Sequence, residues 1–484
     1  MAGRPFVGAR HPAVNFVSLE FLGFLGAVYI FHWVLPQERA RKWLLTLASY
    51  LFYAAWDWRF CLLMLFVTVN AFVAGHLLSS LERSERKLIL AASIGIDLVV
   101  LAFFKYYNFF AINAAVALAD LGFPNSSPTL QIVLPVGISF YTFHAISYVV
   151  DIYRGKVLPE ISFVNVALYI SFFPQLIAGP IVRATFIMPQ MQRRRPFSRS
   201  QQAMGIRLLL RGFIYKAVIA DMLAQVADPV FAHLDQYDAH ALLTAVVAFY
   251  GQIYFDFAGY SSMAIGTARL FGYRFPRNFD YPYRSASVTE FWRRWHMSLS
   301  FWLRDYVYIP LGGNRGGRLA VYRNLMATML LGGLWHGAAW NYVIWGLLHG
   351  SGLCANKAWM ALRTCLPVDV NWQSSCWRTV AIILTQLWIM VGWVFFRCDS
   401  IAEANSVLGS IAGLYPHPGA AIVPLEPLIV LIIAIDHTLG SGAVRWSIPR
   451  RWAQALSWGG IGMLFAFALA TMPLVQRPFI YFQF

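Results

Sequence analysis

The chain has 484 residues, of which 59% are hydrophobic and only 12% charged, with a mean hydropathy of +0.56. A water-soluble domain of that composition would expose large apolar patches, so the class is an all-α polytopic membrane protein. The net charge of +16 lies in short clusters between apolar spans. The positive-inside bias accounts for it, so membrane lipid and not nucleic acid is the expected partner.

In chain order, residues 1–14 form a polar N-terminal arm that carries Arg4 and Arg10. Residues 15–484 are read as one integral-membrane domain, because spans of about 20 apolar residues recur from Asn15 to Pro473. The first apolar segment lacks a small-residue cleavage site and is expected to be a retained span. Spans are expected near 15–35, 43–57, 60–80, 88–107, 131–150, 205–224, 241–266, 379–397, 425–443 and 453–474.

The clusters Arg39–Lys42, Arg83–Lys87, Arg154–Lys156, Arg193–Arg199, Arg269–Arg323, Lys357–Arg363 and Arg445–Arg451 are assigned to the cytoplasm. Three stretches without Lys or Arg, Gly122–Thr129, Ala227–His240 and Asp399–Gly419, face outward. Both termini then lie outside the cytoplasm.

Two apolar stretches break the alternation. Phe163–Val182 contains Pro174, Gly179 and Pro180, which suit a re-entrant hairpin. Asn324–Asn356 would be about 50 Å long as one helix, against a hydrocarbon core of about 30 Å, so it is expected to bend or double back.

That second stretch holds "LLGGLWHGAAW" (Leu330–Trp340). His336 lies 13 residues, or about 20 Å of helical rise, from Arg323, well inside the bilayer. Ionisable groups at that depth usually line a polar cavity. Gly332, Gly333 and Gly337 admit a close approach, and Trp335 and Trp340 are candidate walls. The competing reading is a histidine hydrogen-bonded between helices, which is favoured for His349.

"TEFWRRWHMSLSFWLRDYVYIPLGGNRGG" (Thr289–Gly317) reads as an amphipathic interfacial helix with Thr289 as N-cap. Phe291, Trp295, Leu299, Trp302 and Tyr306 fall on one arc, and Glu290, Arg293, Arg294, Arg304 and Asp305 fall opposite. His296 sits at the border of the stripe, where it would meet both water and a buried cavity; a plain surface anchor is the alternative. Asp256 either lines the cavity or joins helices, and His144 is read as a packing residue.

The five cysteines show no metal spacing, and free thiols are favoured over a Cys365–Cys376 pair. No metal site, phosphate loop, HExxH or GxSxG motif occurs, so imidazole is the available chemistry.

"LPVGISFYTFHAISYVVDIYRG", "YFDFAGYSSMAIG", "NFDYPYRSASVTEFWRRWHMSLSFWLRDYVYIPLGGNRGG" and "LLGGLWHGAAWNYVIWGLLHG" together resemble the membrane-bound O-acyltransferase (MBOAT) superfamily, in its bacterial alginate O-acetylation branch with the cellulose-acetylating relatives. The resemblance implies a ring of about 10–12 transmembrane helices around a central funnel in the bacterial inner membrane. It makes His336 the essential histidine and His296 the second, with Trp295, Trp335, Asn341 and Asp256 as supporting or cavity-lining groups.

It further implies acetyl-CoA or another acetyl thioester as donor substrate, with no permanently bound cofactor. Arg293, Arg294 and Arg304 would hold the donor on the basic cytoplasmic face. The acetyl group would pass towards an exopolysaccharide, with periplasmic acetyltransferase proteins and a polysaccharide synthesis complex as partners. A transporter or flippase, or a D-alanyl transferase using a carrier protein, is the alternative.

Overall fold

A computed structural model describes residues 16–123, 129–177, 179–365 and 374–441, with 458–460, 462–463, 465–467, 470 and 479–480. The N-terminal arm, most of the expected 453–474 span and most of Gly122–Thr129 lie outside the described residues. Among the described residues there is no strand, only one isolated bridge between Tyr237 and Ala420. Among the described residues, four helices are long and apolar enough to cross a membrane: Arg59–Ser80, Ser84–Asp120, Ala239–Leu270 and Ser375–Arg397.

The chain divides into two compact units. The first holds α1 (Leu19–Val34), α2 (Glu38–Asp57), α3 (Arg59–Ser80), α4 (Arg83–Asp120), α5 (Ile138–Tyr153), α6 (Phe163–Ser171), α7 (Phe173–Leu176), α8 (Ala184–Met191) and α9 (Arg199–Phe213), with residues 260–276. In the second are α10 (Asp221–Ala232), α11 (Ala239–Leu270) up to Gly259, α12 (Val288–Arg294), α13 (Met297–Leu303), α14 (Gly317–His336), α15 (Trp340–Arg363), α16 (Ser375–Arg397), α17 (Ile401–Ile411) and α18 (Glu426–Gly440).

In the first unit, α5 is buried at every position from Ile138 to Ile152. His144 accepts a hydrogen bond from the Val182 amide at 3.2 Å, a packing role. The α4 helix runs 38 residues, longer than the expected 88–107 span, because Glu82 and Glu85 form a capping box that starts it early. The Phe163–Val182 stretch is broken into α6 and α7 at Phe172; Pro174 sits in the first turn of α7, where its missing N–H costs nothing.

In the second unit, the expected 205–224 span continues from α9 through a seven-residue π-helix, Ile214–Ala220, into α10. The widened turn carries Lys216, which lies 2.8 Å from Asp221 and 2.7 Å from Asp256 and is 2% exposed. A charge can be kept inside only with such partners.

The outward stretch Asp399–Gly419 is not all loop, since Ser400 caps α17 by accepting from the Glu403 amide. Likewise α10 extends to Ala232 inside Ala227–His240. Next to Gly419, the Ala420 carbonyl accepts from the Asp238 amide at 3.2 Å and the Ala420 amide donates to the Gln236 carbonyl at 2.7 Å, which joins the two stretches.

Candidate active site

The Asn324–Asn356 stretch doubles back, as its length demands. Helices α14 and α15 form an antiparallel hairpin turned by Gly337–Ala339. A Cβ on Gly346 would meet the Met329 carbonyl oxygen at 2.5 Å, and one on Gly350 would meet Met326 Sδ at 2.8 Å, so glycine permits the close approach of the helices. The same pairing brings Cys354 Sγ to the Tyr322 carbonyl at 3.7 Å.

His336 is the last residue of α14 and so lies at the hairpin apex. Asn341 Nδ2 donates to the Cys398 carbonyl at 2.6 Å, and the His336 and Phe396 rings are 5.2 Å apart. The apex therefore lies beside Phe396 and Cys398, at the end of α16.

Around His336, which is 5% exposed, the centroids of Trp345, Trp335 and Phe396 lie at 4.8, 4.9 and 5.2 Å. His349 packs against the far side of Trp345 at 4.4 Å, and its Nδ1 accepts from Trp292 Nε1 at 3.2 Å. That bond places the proton of His349 on Nε2 and gives it a packing role. Trp340 starts α15 and is 53% exposed.

The expected amphipathic helix is two short ones. Helix α12 ends at Arg294, the chain passes through Trp295 in extended conformation and His296 at φ 40°, and α13 begins at Met297. The N-cap is Ser287, which accepts from the Glu290 amide at 3.1 Å; Thr289 instead donates to Asn356 Oδ1 at 2.6 Å.

The break moves His296 from the expected interfacial edge into the interior, where it is fully buried. Asn278 Oδ1 fixes it, lying 3.3 Å from His296 Nδ1 while accepting from the Ser298 hydroxyl at 2.8 Å and amide at 3.2 Å. Burial pushes the His296 imidazole from 6.5 down to about 3, so it stays neutral. Trp295 is buried too, stacked on Phe291 at 5.5 Å and 5.0 Å from Trp393.

Trp335 brings the two motifs together. Its ring lies 4.9 Å from His336 and 6.0 Å from His296, so the two imidazoles flank one indole.

Below them lies a cavity of about 810 Å³, which neither histidine lines. Its wall includes Trp292, Leu303, Thr328 and Met329, five cations (Arg293, Arg304, Lys357, Arg363, Arg378) and one carboxylate, Glu290. The side-chain balance is five minus one, or +4, which suits a polyanionic ligand. Lys357, Arg363 and Arg378 were missed as site residues because the sequence marks them only as topology charges.

Two expected site residues lie elsewhere. Arg294 is not part of the cavity wall and pairs with Glu290 at 3.0 Å and Asp280 at 3.4 Å. Asp256 is taken up by Lys216, and Asn341 pins the hairpin apex. All five cysteines are free thiols.

Residues 96–398 match the family model of the membrane-bound O-acyltransferase family, MBOAT, an interval that contains both histidine motifs and the whole cavity wall. The chain is 42% identical to the probable alginate O-acetylase AlgI of Pseudomonas aeruginosa over 80% of its own length and 73% of the relative's. It is 34% identical to the peptidoglycan O-acetyltransferase of Helicobacter pylori over 96% of this chain and 95% of that one. To the teichoic acid D-alanyltransferase of Streptococcus thermophilus it is 34% identical over 51% of this chain and 62% of the relative.

Proposed function

The chain belongs to the membrane-bound O-acyltransferase family and is a multi-pass membrane O-acyltransferase; from that premise we propose that it carries acetyl from acetyl-CoA to a hydroxyl bound for an alginate-type exopolysaccharide at the bacterial inner membrane. The observation that carries this reading is the pair of histidines flanking Trp335 above a cavity whose side chains sum to +4.

The phosphates of coenzyme A sit among Arg293, Arg304, Lys357, Arg363 and Arg378, with the thioester directed past Trp292 towards the apex. Neutral His336 accepts the proton of the acceptor hydroxyl as its oxygen attacks the thioester carbonyl. The tetrahedral adduct collapses with loss of the C–S bond, and the imidazolium returns the proton to the departing thiolate. An ester and a free thiol result, with imidazole regenerated. Neutral His296, fixed by Asn278, orients the thioester.

Periplasmic acetyltransferase proteins and the polysaccharide synthesis complex take the acetyl group onward. Peptidoglycan is the second acceptor reading, favoured by the near full-length match to a peptidoglycan O-acetyltransferase. Acetyl esters measured on alginate-type polymer and on released muropeptides, with and without the protein, separate the two.

The central test is acetyl transfer from labelled acetyl-CoA by membranes with equal amounts of His336→Ala and wild-type protein. Loss of turnover of at least about 100-fold is expected from removing a general base; retained turnover would refute the assignment.

A further inference from the structure

A second basic cavity, in the first unit, is not used by the chemistry above. It has a volume of about 420 Å³ and is lined by Trp33, Arg41, Arg194, Pro196 and Phe197. Trp33 closes α1, whose outward side chains Leu22, Ile30, Phe31 and Val34 are 46–72% exposed and so face lipid tails. The turn to α2 brings the charged run Glu38–Lys42, so the cavity lies where the apolar belt ends and the headgroup layer begins.

The walls are held in place. Trp33 Nε1 donates to the Leu270 carbonyl at 3.0 Å, and Phe197 meets the indole edge-on at 5.1 Å. The Arg41 guanidinium lies 5.1 Å above that indole, with Nε donating to the Leu35 carbonyl at 2.8 Å and Nη1 to the Arg195 carbonyl at 3.3 Å. Arg41 is 9% exposed, and its nearest carboxylate, Glu38, is 3.8 Å away. Arg39, Lys42, Arg193, Arg194, Arg195 and Arg199 add positive charge in the two segments that form the cavity, against Glu38 alone.

We propose that this cavity is a binding site for the headgroup of an anionic phospholipid of the cytoplasmic leaflet. Arg41 is the buried, preorganised cation, and Arg194 is the exposed one that closes on the phosphate. Trp33 and Phe197 hold the glycerol and upper acyl region, as aromatic side chains do at membrane interfaces.

The test uses the full-length protein purified in an uncharged detergent, with thermal stability followed against dioctanoyl-phosphatidylglycerol, dioctanoyl-phosphatidylcholine and inorganic phosphate. Phosphatidylglycerol alone should raise the melting temperature in a saturable way. Arg194→Gln should weaken its apparent affinity about fivefold, while Arg194→Lys keeps most of it.

Equal effects of the two lipids would overturn the proposal, as would an affinity unchanged in Arg194→Gln. An equal effect of phosphate alone would make this a free-anion site. No acyl transfer is measured, so the outcome is independent of the catalytic assignment.

Discussion

Gly346→Ala tests whether the apex position of His336 depends on the closeness of α14 and α15. The added Cβ would sit 2.5 Å from the Met329 carbonyl oxygen and 3.1 Å from Leu330 Cα. Both are backbone atoms that no rotamer change can clear, so the helices must part by about half an ångström. Overpacking of this kind costs about 1–3 kcal/mol.

Gly95→Ala in α4 is the control, because a Cβ there meets nothing within 4 Å. It should gain up to about 1 kcal/mol from helix propensity. Parting the hairpin shifts the imidazole, and a misplacement of about 1 Å can cost about 100-fold in rate. Melting temperature and acetyl transfer at saturating donor are measured on both variants. A Gly346→Ala protein with wild-type stability and turnover would refute the reasoning.

Arg363→Gln should raise the KM for acetyl-CoA about tenfold with kcat nearly unchanged, since one charge-assisted contact is worth about 1.5–3 kcal/mol; Arg294→Gln, which is not part of the cavity wall and is already paired with Glu290 and Asp280, should move KM far less. Lys216→Met leaves Asp221 and Asp256 buried without their cation and should cost about 3–5 kcal/mol, read as lost expression and thermal stability. His296 has a folded pKa of about 3, below its unfolded 6.5, so protonation favours unfolding. The stability it contributes is complete above pH 6.5 and is lost as pH falls towards 3. His296→Asn, which tolerates the positive φ, should flatten that part of the stability profile relative to wild type.

Four of the expected spans, near 60–80, 88–107, 241–266 and 379–397, coincide with helices long and apolar enough to cross a membrane, and they were legible because long apolar runs between basic clusters have few alternatives there. The hairpin was legible from length alone, since 33 uncharged residues cannot cross once as a straight helix. The break at Trp295–His296 was hidden because the helical arc through Phe291, Trp295, Leu299 and Trp302 persists in the residue spacing. What overrides it is tertiary: Asn278, 18 residues upstream of His296, captures Ser298 and the imidazole. Lys216 was unreadable as a buried group for a similar reason, because its two carboxylates lie 5 and 40 residues further on. Arg363 and Arg378 read as edge charges, and only packing shows that they face a common cavity.

Trp292, one wall of the cavity, also begins a row of indoles. Trp292 and Trp345 lie 5.7 Å apart, and Trp345 and Trp393 lie 6.1 Å apart, between the basic cavity that Trp292 lines and the apex that holds His336. Moving one elementary charge through 100 mV is worth about 2.3 kcal/mol, so a continuous water column here would short-circuit an energised bilayer. Apolar indoles in such a place disfavour the passage of charge, so a group crossing them would do so uncharged. The acetyl thioester proposed above would meet that condition, and its phosphates would remain in the basic cavity.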